Sequence, residues 1–177
     1  YFIGIFYSAG PKPLSSLPVG ELASGLTMGY LIFLICVYIN TSGVFVWDFA
    51  TLASTFLVAL PSTLLIANLM LANNTCDLEE DEGNHRYTIV HYIGRKNALR
   101  WWTLAIILAY ISIVGAVVLG LISPLMLLMF ILLPFIIKQA RPYLQRQVKS
   151  ETFIASVKIL MVFSLLQAVL MLLALVL

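Results

Sequence analysis

Charge is scarce in this sequence. Only 10% of its residues are Asp, Glu, Lys or Arg while 62% are hydrophobic, and the mean hydropathy is +1.02. Roughly a quarter of a soluble domain is charged, so this composition excludes a water-soluble globule and points to a chain solvated by lipid. The amino terminus also lacks the basic start and small-residue cleavage site of a secretory signal peptide. Insertion is therefore expected to rest on the helices themselves. The sequence opens on Tyr1 and stays apolar to Ala9, which reads as the tail of a helix that begins upstream. No internal repeat is evident. The net charge of +2 calls for no nucleic-acid partner, because membrane orientation already accounts for where the basic residues lie.

Five apolar runs are long enough to cross a bilayer, for which about 20 residues at 1.5 Å rise suffice. They are residues 21–39, 49–71, 98–119, 121–137 and 153–177. The fold class is thus all-α: a polytopic membrane bundle of about five transmembrane helices, with residues 1–177 as one partial membrane domain. If the helices alternate in direction, all ten Lys and Arg residues fall on one side. Lys12 precedes the first helix, Arg86, Arg95, Lys96 and Arg100 surround the start of the third, and Lys138, Arg141, Arg146, Lys149 and Lys158 surround that of the fifth. The opposite connections, residues 40–48 and 120–123, contain none. Basic residues in short loops mark the cytoplasmic face, so a multi-pass protein of the cell membrane is expected, with the C-terminus external. Cys36 and Cys76 then lie almost a bilayer apart, too far for a disulfide. Trp101, Trp102 and Tyr87 read as anchors at the inner boundary. Pro61 lies inside the second helix, and Pro124 and Pro134 border or interrupt the fourth. The basic segment 138–152 reads as a solvated loop attracted to anionic headgroups.

Five of the eight carboxylates stand within six residues: Asp77, Glu79, Glu80, Asp81 and Glu82. They belong to a cytoplasmic acidic loop, about 73–97, into which the second helix continues as ANNTCDLEED. Asn73, Asp77 and Asp81 recur every four residues, so a helical continuation puts all three on one face. Two carboxylates about 6 Å apart repel by a few kcal/mol at an effective dielectric near 20. A bound cation reverses that sign, and Mg²⁺ suits one or two carboxylates supplemented by water and phosphate oxygens. An acidic loop can also serve only for solubility. Here, however, the acids are joined to a membrane helix at regular spacing and followed by Arg86, Arg95 and Lys96, the combination that diphosphate ionisation needs. His85 and His91 read as loop residues off that face.

Two stretches carry a family resemblance. YSAGPKPLSSLPVGE, from Tyr7 to Glu21, and NNTCDLEEDEGNHRYTIVHYIG, from Asn73 to Gly94, resemble segments of the UbiA superfamily of membrane prenyltransferases, and within it the 1,4-dihydroxy-2-naphthoate polyprenyltransferases of menaquinone synthesis, the MenA group. The second stretch is similar to an NNxxDxxxD segment followed by a basic residue. Tyr87 and His85 depart from the usual pattern, where a second basic residue and Gly are common. The resemblance implies a nine-helix fold with two aspartate motifs, of which this chain covers the last five helices and the second motif. NDxxDxxxD, the first motif, does not occur in it. It further implies Mg²⁺ as cofactor, a polyprenyl diphosphate and an aromatic acceptor as substrates, and a lipid bilayer around them. Asp77 and Asp81 are then the catalytic metal-binding pair, with Asn73 in support, Arg86 and Lys96 on the diphosphate, and Tyr7 near the aromatic substrate. Residues 1–177 alone are expected to be inactive.

Three rival readings are weaker. A prenyltransferase of the same superfamily acting on another acceptor, such as 4-hydroxybenzoate, differs only in likeness of motif. CDP-alcohol phosphotransferases also place DxxxD at a cytoplasmic helix end, but require a Gly-rich DGxxAR stretch that TCDLEED does not supply. A transporter fragment places ionisable residues near mid-membrane, and these runs carry almost none.

Overall fold

The computed structural model describes residues 2–10 and 13–176. The expectations for Tyr1, Lys12 and Leu177 fall outside those residues. Among the described residues there is no strand, and five helical spans are long and apolar enough to cross a membrane: Gly20–Thr41, Phe49–Cys76, Ile89–Val118, Pro124–Gln145 and Ile154–Leu173. The expected all-α bundle is therefore present.

A short helix α1, Phe2–Ser8, and a 3₁₀ turn, Leu14–Ser16, lead into the first span. That span is composite. Helix α2, Gly20–Ser24, passes through a π-helical stretch, Gly25–Leu31, into α3, Ile32–Thr41. Hydrocarbon supplies no hydrophobic drive between helices, so close backbone approach and interhelical hydrogen bonds hold such bundles together. Gly25 and Gly29 provide the approach. A Cβ on Gly29 would lie 2.4 Å from Thr63 Cα, and one on Gly25 would lie 2.7 Å from the Thr63 carbonyl oxygen. Helix α4, Phe49–Cys76, on which they pack, starts where Asp48 Oδ1 accepts from the Thr51 amide at 2.8 Å, an N-cap satisfying one of the orphan donors of the first turn.

Helix α6, Ile89–Val118, packs most extensively on α4. Gly94 interrupts it at φ 74°, ψ 155°, a backbone conformation that glycine alone adopts without strain. The fourth span begins as a 3₁₀ segment, Pro124–Leu132, and becomes α-helical in α7, Leu133–Gln145. Pro134 sits in the first turn of α7, where a missing N–H is tolerated. Helix α8, Ile154–Leu173, closes the bundle. Its core gathers Trp102, Tyr143 and Phe163 with Met126 and Met129, all essentially inaccessible. Polar ties cross it. Asn68 Nδ2 donates to the Trp102 carbonyl at 2.7 Å, Trp102 Nε1 to Ser156 Oγ at 3.1 Å, Tyr110 Oη to the Met129 carbonyl at 3.1 Å, and Ser62 Oγ to Gln167 Oε1 at 3.2 Å.

Three readings of the sequence require correction. Trp102 is a core residue, 1% exposed, whose indole N–H is satisfied inside the bundle; only its neighbour Trp101, half exposed, and Tyr87 face outward. The acidic segment is mostly helix. Helix α4 runs to Cys76, a six-residue helix α5 spans Leu78–Gly83, and α6 takes up the chain again at Ile89, placing His91 on a helix. Likewise residues 138–145 belong to α7, which carries Pro142 within it, and the connection to α8 is correspondingly short.

Candidate functional site

The expected face forms where α4 meets α5. Asp77 leaves helical geometry at φ −94°, ψ 8°, yet hydrogen bonding of period four continues through it. Its amide donates to the Asn73 carbonyl at 3.0 Å, and the Asp81 amide donates to the Asp77 carbonyl at 2.8 Å. The kink therefore preserves the register that aligns Asn73, Asp77 and Asp81. Asn73 Nδ2 donates to Asp77 Oδ2 at 3.2 Å and leans on Asn74 Oδ1 at 3.4 Å.

The five acids divide by depth and partner. Glu79 is exposed and accepts from Arg95 Nη2 at 2.7 and 2.9 Å, a hydrogen bond that holds its carboxyl below the usual range. Arg95 Nε also reaches the Thr75 carbonyl at 3.4 Å, capping the end of α4. Glu82 contacts His91 Nδ1 at 2.7 Å, and Glu80 points to solvent. Asp81, in contrast, is 3% exposed. Its Oδ1 pairs with Arg86 Nη1 at 3.3 Å, and its Oδ2 is buried without a hydrogen-bond partner among the described residues. Burial pushes this carboxyl above the ordinary aspartate value, with Arg86 opposing and Asp77 adding to the rise. Asp77 is partly exposed and meets a cation from the far end of the chain: Lys149 Nζ, in the α7–α8 connection, donates to both Asp77 Oδ2 and Asn73 Oδ1.

Arg86 is fixed from two sides. Its amide donates to the Asp81 carbonyl at 2.8 Å, while Nη2 donates to the Ser15 carbonyl at 3.4 Å. It thus stands between the buried aspartate and a cleft of about 740 Å³ lined by Ser15, Ser16, Asn84, His85 and Tyr87. Lys96 is exposed and makes no hydrogen bond or ion pair among the described residues; its neighbour Arg95 is the one drawn to the acidic turn. Tyr7 lies within electrostatic reach of Glu21 and Arg86. Its hydroxyl and those of Ser24 and Thr27 are buried without a well-formed hydrogen bond among the described residues, around an apolar cavity of about 200 Å³ shared with Met28 and Met70.

The sequence reading assigned no site role to two residues that the fold brings here. Glu21, at the start of α2, is 9% exposed; its Oε1 accepts from Asn74 Nδ2 at 2.7 Å and its Oε2 has no partner among the described residues. The Gly-Glu pair was a visible signal for it. Lys149 offered none, since it is 72 residues from Asp77 in a segment with an ordinary basic composition. No group of three or more His, Cys, Asp and Glu side chains among the described residues is placed to hold a metal ion. What the geometry offers is two aspartates and an asparagine in one four-residue register, with Arg86 on Asp81 and Lys149 on Asp77 as attendant cations.

Comparison with known proteins places the chain in a family. The chain is 30% identical over 153 residues to the 1,4-dihydroxy-2-naphthoate octaprenyltransferase of Bacillus subtilis (strain 168), an alignment covering 86% of the chain and 47% of that relative. The chain thus spans about half the length of the curated relative it matches. No solved structure matches it. The model of the UbiA prenyltransferase family matches residues 1–166, and this chain, a multi-pass membrane helix bundle, belongs to that family.

Proposed function

We propose that the chain supplies the second aspartate motif and its diphosphate-holding residues to an aromatic prenyltransferase of the membrane, one that joins a polyprenyl diphosphate to 1,4-dihydroxy-2-naphthoate. The observation that carries this reading is the continuous Asn73, Asp77, Asp81 face at the end of α4, with Arg86 bonded to the inner aspartate. The Bacillus subtilis relative, named for that naphthoate, supports the choice of acceptor.

The residues present fit a divalent cation of the Mg²⁺ kind. Asp77 Oδ2 and Asn73 Oδ1 already converge on a positively charged group, the Lys149 ammonium, and Asp81 Oδ2 is an acceptor without a donor among the described residues. Asp77 and Asp81 would hold the cation, with Asn73 in support. Two carboxylates are few, as expected where water and phosphate oxygens complete the shell. When bound, the metal neutralises charge on the departing diphosphate.

The side chains themselves do the rest. Arg86 turns its guanidinium from Asp81 toward the adjoining cleft, where its planar fork matches phosphate oxygens. Lys96, exposed and without a hydrogen bond or ion pair among the described residues, is assigned the weaker role. The carbon–oxygen bond to diphosphate breaks to leave an allylic cation, and the electron-rich ring attacks it, with loss of the ring carboxylate as CO₂. The apolar cavity beside Tyr7 suits a flat aromatic group. On this reading the aspartate end of α4 lies at the cytoplasmic face, as the basic residues indicate.

Asp77→Ala or Asp81→Ala in the complete gene product should lower prenyl transfer to radiolabelled naphthoate by about a thousandfold, the scale of losing a preorganised electrostatic group, while membrane insertion is unchanged. Substantial Mg²⁺-dependent turnover in Asp77→Ala would defeat the assignment.

A further inference from the structure

The α7–α8 connection is ordered around one lysine. Thr152 Oγ1 accepts from the Val148 amide at 2.9 Å, the Thr152 amide donates to the Val148 carbonyl at 2.8 Å, and Arg146 Nη1 pairs with Glu151 at 3.4 Å. This turn fixes the backbone of Lys149, whose ammonium lies 5.0 Å from the centre of the Phe153 ring. From there it bonds Asp77 Oδ2 and Asn73 Oδ1, at the C-terminal end of α4.

We propose that Lys149 is a tethered counter-ion of the diphosphate site: it occupies the metal-ligating oxygens in the metal-free protein and transfers its charge to the diphosphate once a divalent cation enters. The inference rests on the proposed function above. Its physical basis is competition for the same atoms. An ammonium and a divalent cation repel strongly at contact distance, so they do not share Asp77 Oδ2. Entry of the metal expels the ammonium. The fixed turn keeps the backbone in place, while four flexible methylenes let the head move only a few ångströms. Within that radius the new anionic neighbours are the phosphate oxygens held by the same metal, and lysine binds phosphate as a point charge. The partly exposed side chain, 45% accessible, is free to make that move.

The role predicts opposite effects on two ligands, which a structural tie between α4 and the connection does not. Binding of Mn²⁺ alone is measured by loss of the free-ion EPR signal, and binding of ³²P-labelled inorganic pyrophosphate at fixed Mg²⁺ by equilibrium dialysis. Both use the complete gene product in detergent, and the relevant metal component is the one abolished by Asp77→Ala. Lys149→Met should tighten that Mn²⁺ component and weaken pyrophosphate binding, each about tenfold, the worth of one charge-assisted hydrogen bond. Lys149→Arg should restore most of the pyrophosphate affinity. Thermal unfolding in the same detergent identifies a misfolded variant, in which case Lys149→Gln is read instead. Unchanged or weakened Mn²⁺ binding, or unchanged pyrophosphate binding, in a folded Lys149 variant overturns the inference. If instead the wild-type protein shows no component sensitive to Asp77→Ala, the metal-site reading beneath it has failed.

Discussion

Among the five clustered acids, depth separates roles that the sequence leaves mixed. Glu79 and Glu82 sit outside and fasten α5 to α6 through Arg95 and His91. Asp77 and Asp81 turn inward on the face that Asn73 begins. Their four-residue spacing was legible, because it needs only helical register. The identity of their counter-charges was only half legible: Arg86 follows closely in sequence, whereas Lys149 arrives through the folding of α7 and α8. Trp102 was misread for a similar reason, since hydropathy locates the end of an apolar run but not the direction in which an indole faces. One acid outside the cluster gives a test at this scale. The Thr51 amide holds Asp48 below its ordinary value of 3.8. A carboxyl depressed in the fold stabilises it above the unfolded value and loses that effect as pH falls through the folded one. Asp48→Ala should therefore lower the melting temperature at neutral pH, Asp48→Asn should not because asparagine caps equally well, and the deficit of the alanine variant should shrink as the pH falls below the ordinary aspartate value and the cap carboxylate protonates. Scanning fluorimetry in detergent across pH checks all three.

At the level of elements, the five spans were legible because each needs only a long apolar run. Their interruptions were not. The π-helical stretch depends on Gly25 and Gly29 meeting Thr63, a contact that exists only once α4 is alongside. Gly94 similarly breaks α6 through its positive-φ backbone, while hydropathy placed the third span's start at residue 98 because His91, Arg95, Lys96 and Asn97 are polar, although the helix begins at Ile89. Gly29→Val has no room, because the two nearest obstructing atoms, Thr63 Cα and N, are backbone rather than the end of a flexible side chain. It should cost about 3 kcal/mol or more, at the upper end of overpacking penalties, and separate the first span from α4. A cysteine crosslink between the two helices, lost in the variant, provides the measurement. A crosslink formed with wild-type efficiency would show that the close approach is not required.

For the molecule as a whole, the decisive expectation is sidedness, argued from the sequence, in which all ten basic residues fall on one side if the helices alternate in direction. Val44→Cys and Ser150→Cys, placed in connections at opposite ends, should react with a membrane-impermeant maleimide from opposite sides of the bilayer: Val44→Cys in intact cells, Ser150→Cys only after permeabilisation. The reverse pattern would put the aspartate face outside and remove it from any cytoplasmic substrate.

The Ser62 to Gln167 bond joins the second span to the last across 105 residues. A glutamine amide is costly in hydrocarbon until it finds a partner, so α8 gains a specific berth only after α4 is in place. The segment that carries Lys149 is strung between α7 and α8. Biogenesis therefore has a built-in order: the aspartates are laid down with α4, and the lysine that greets them is delivered only when α8 finds its berth.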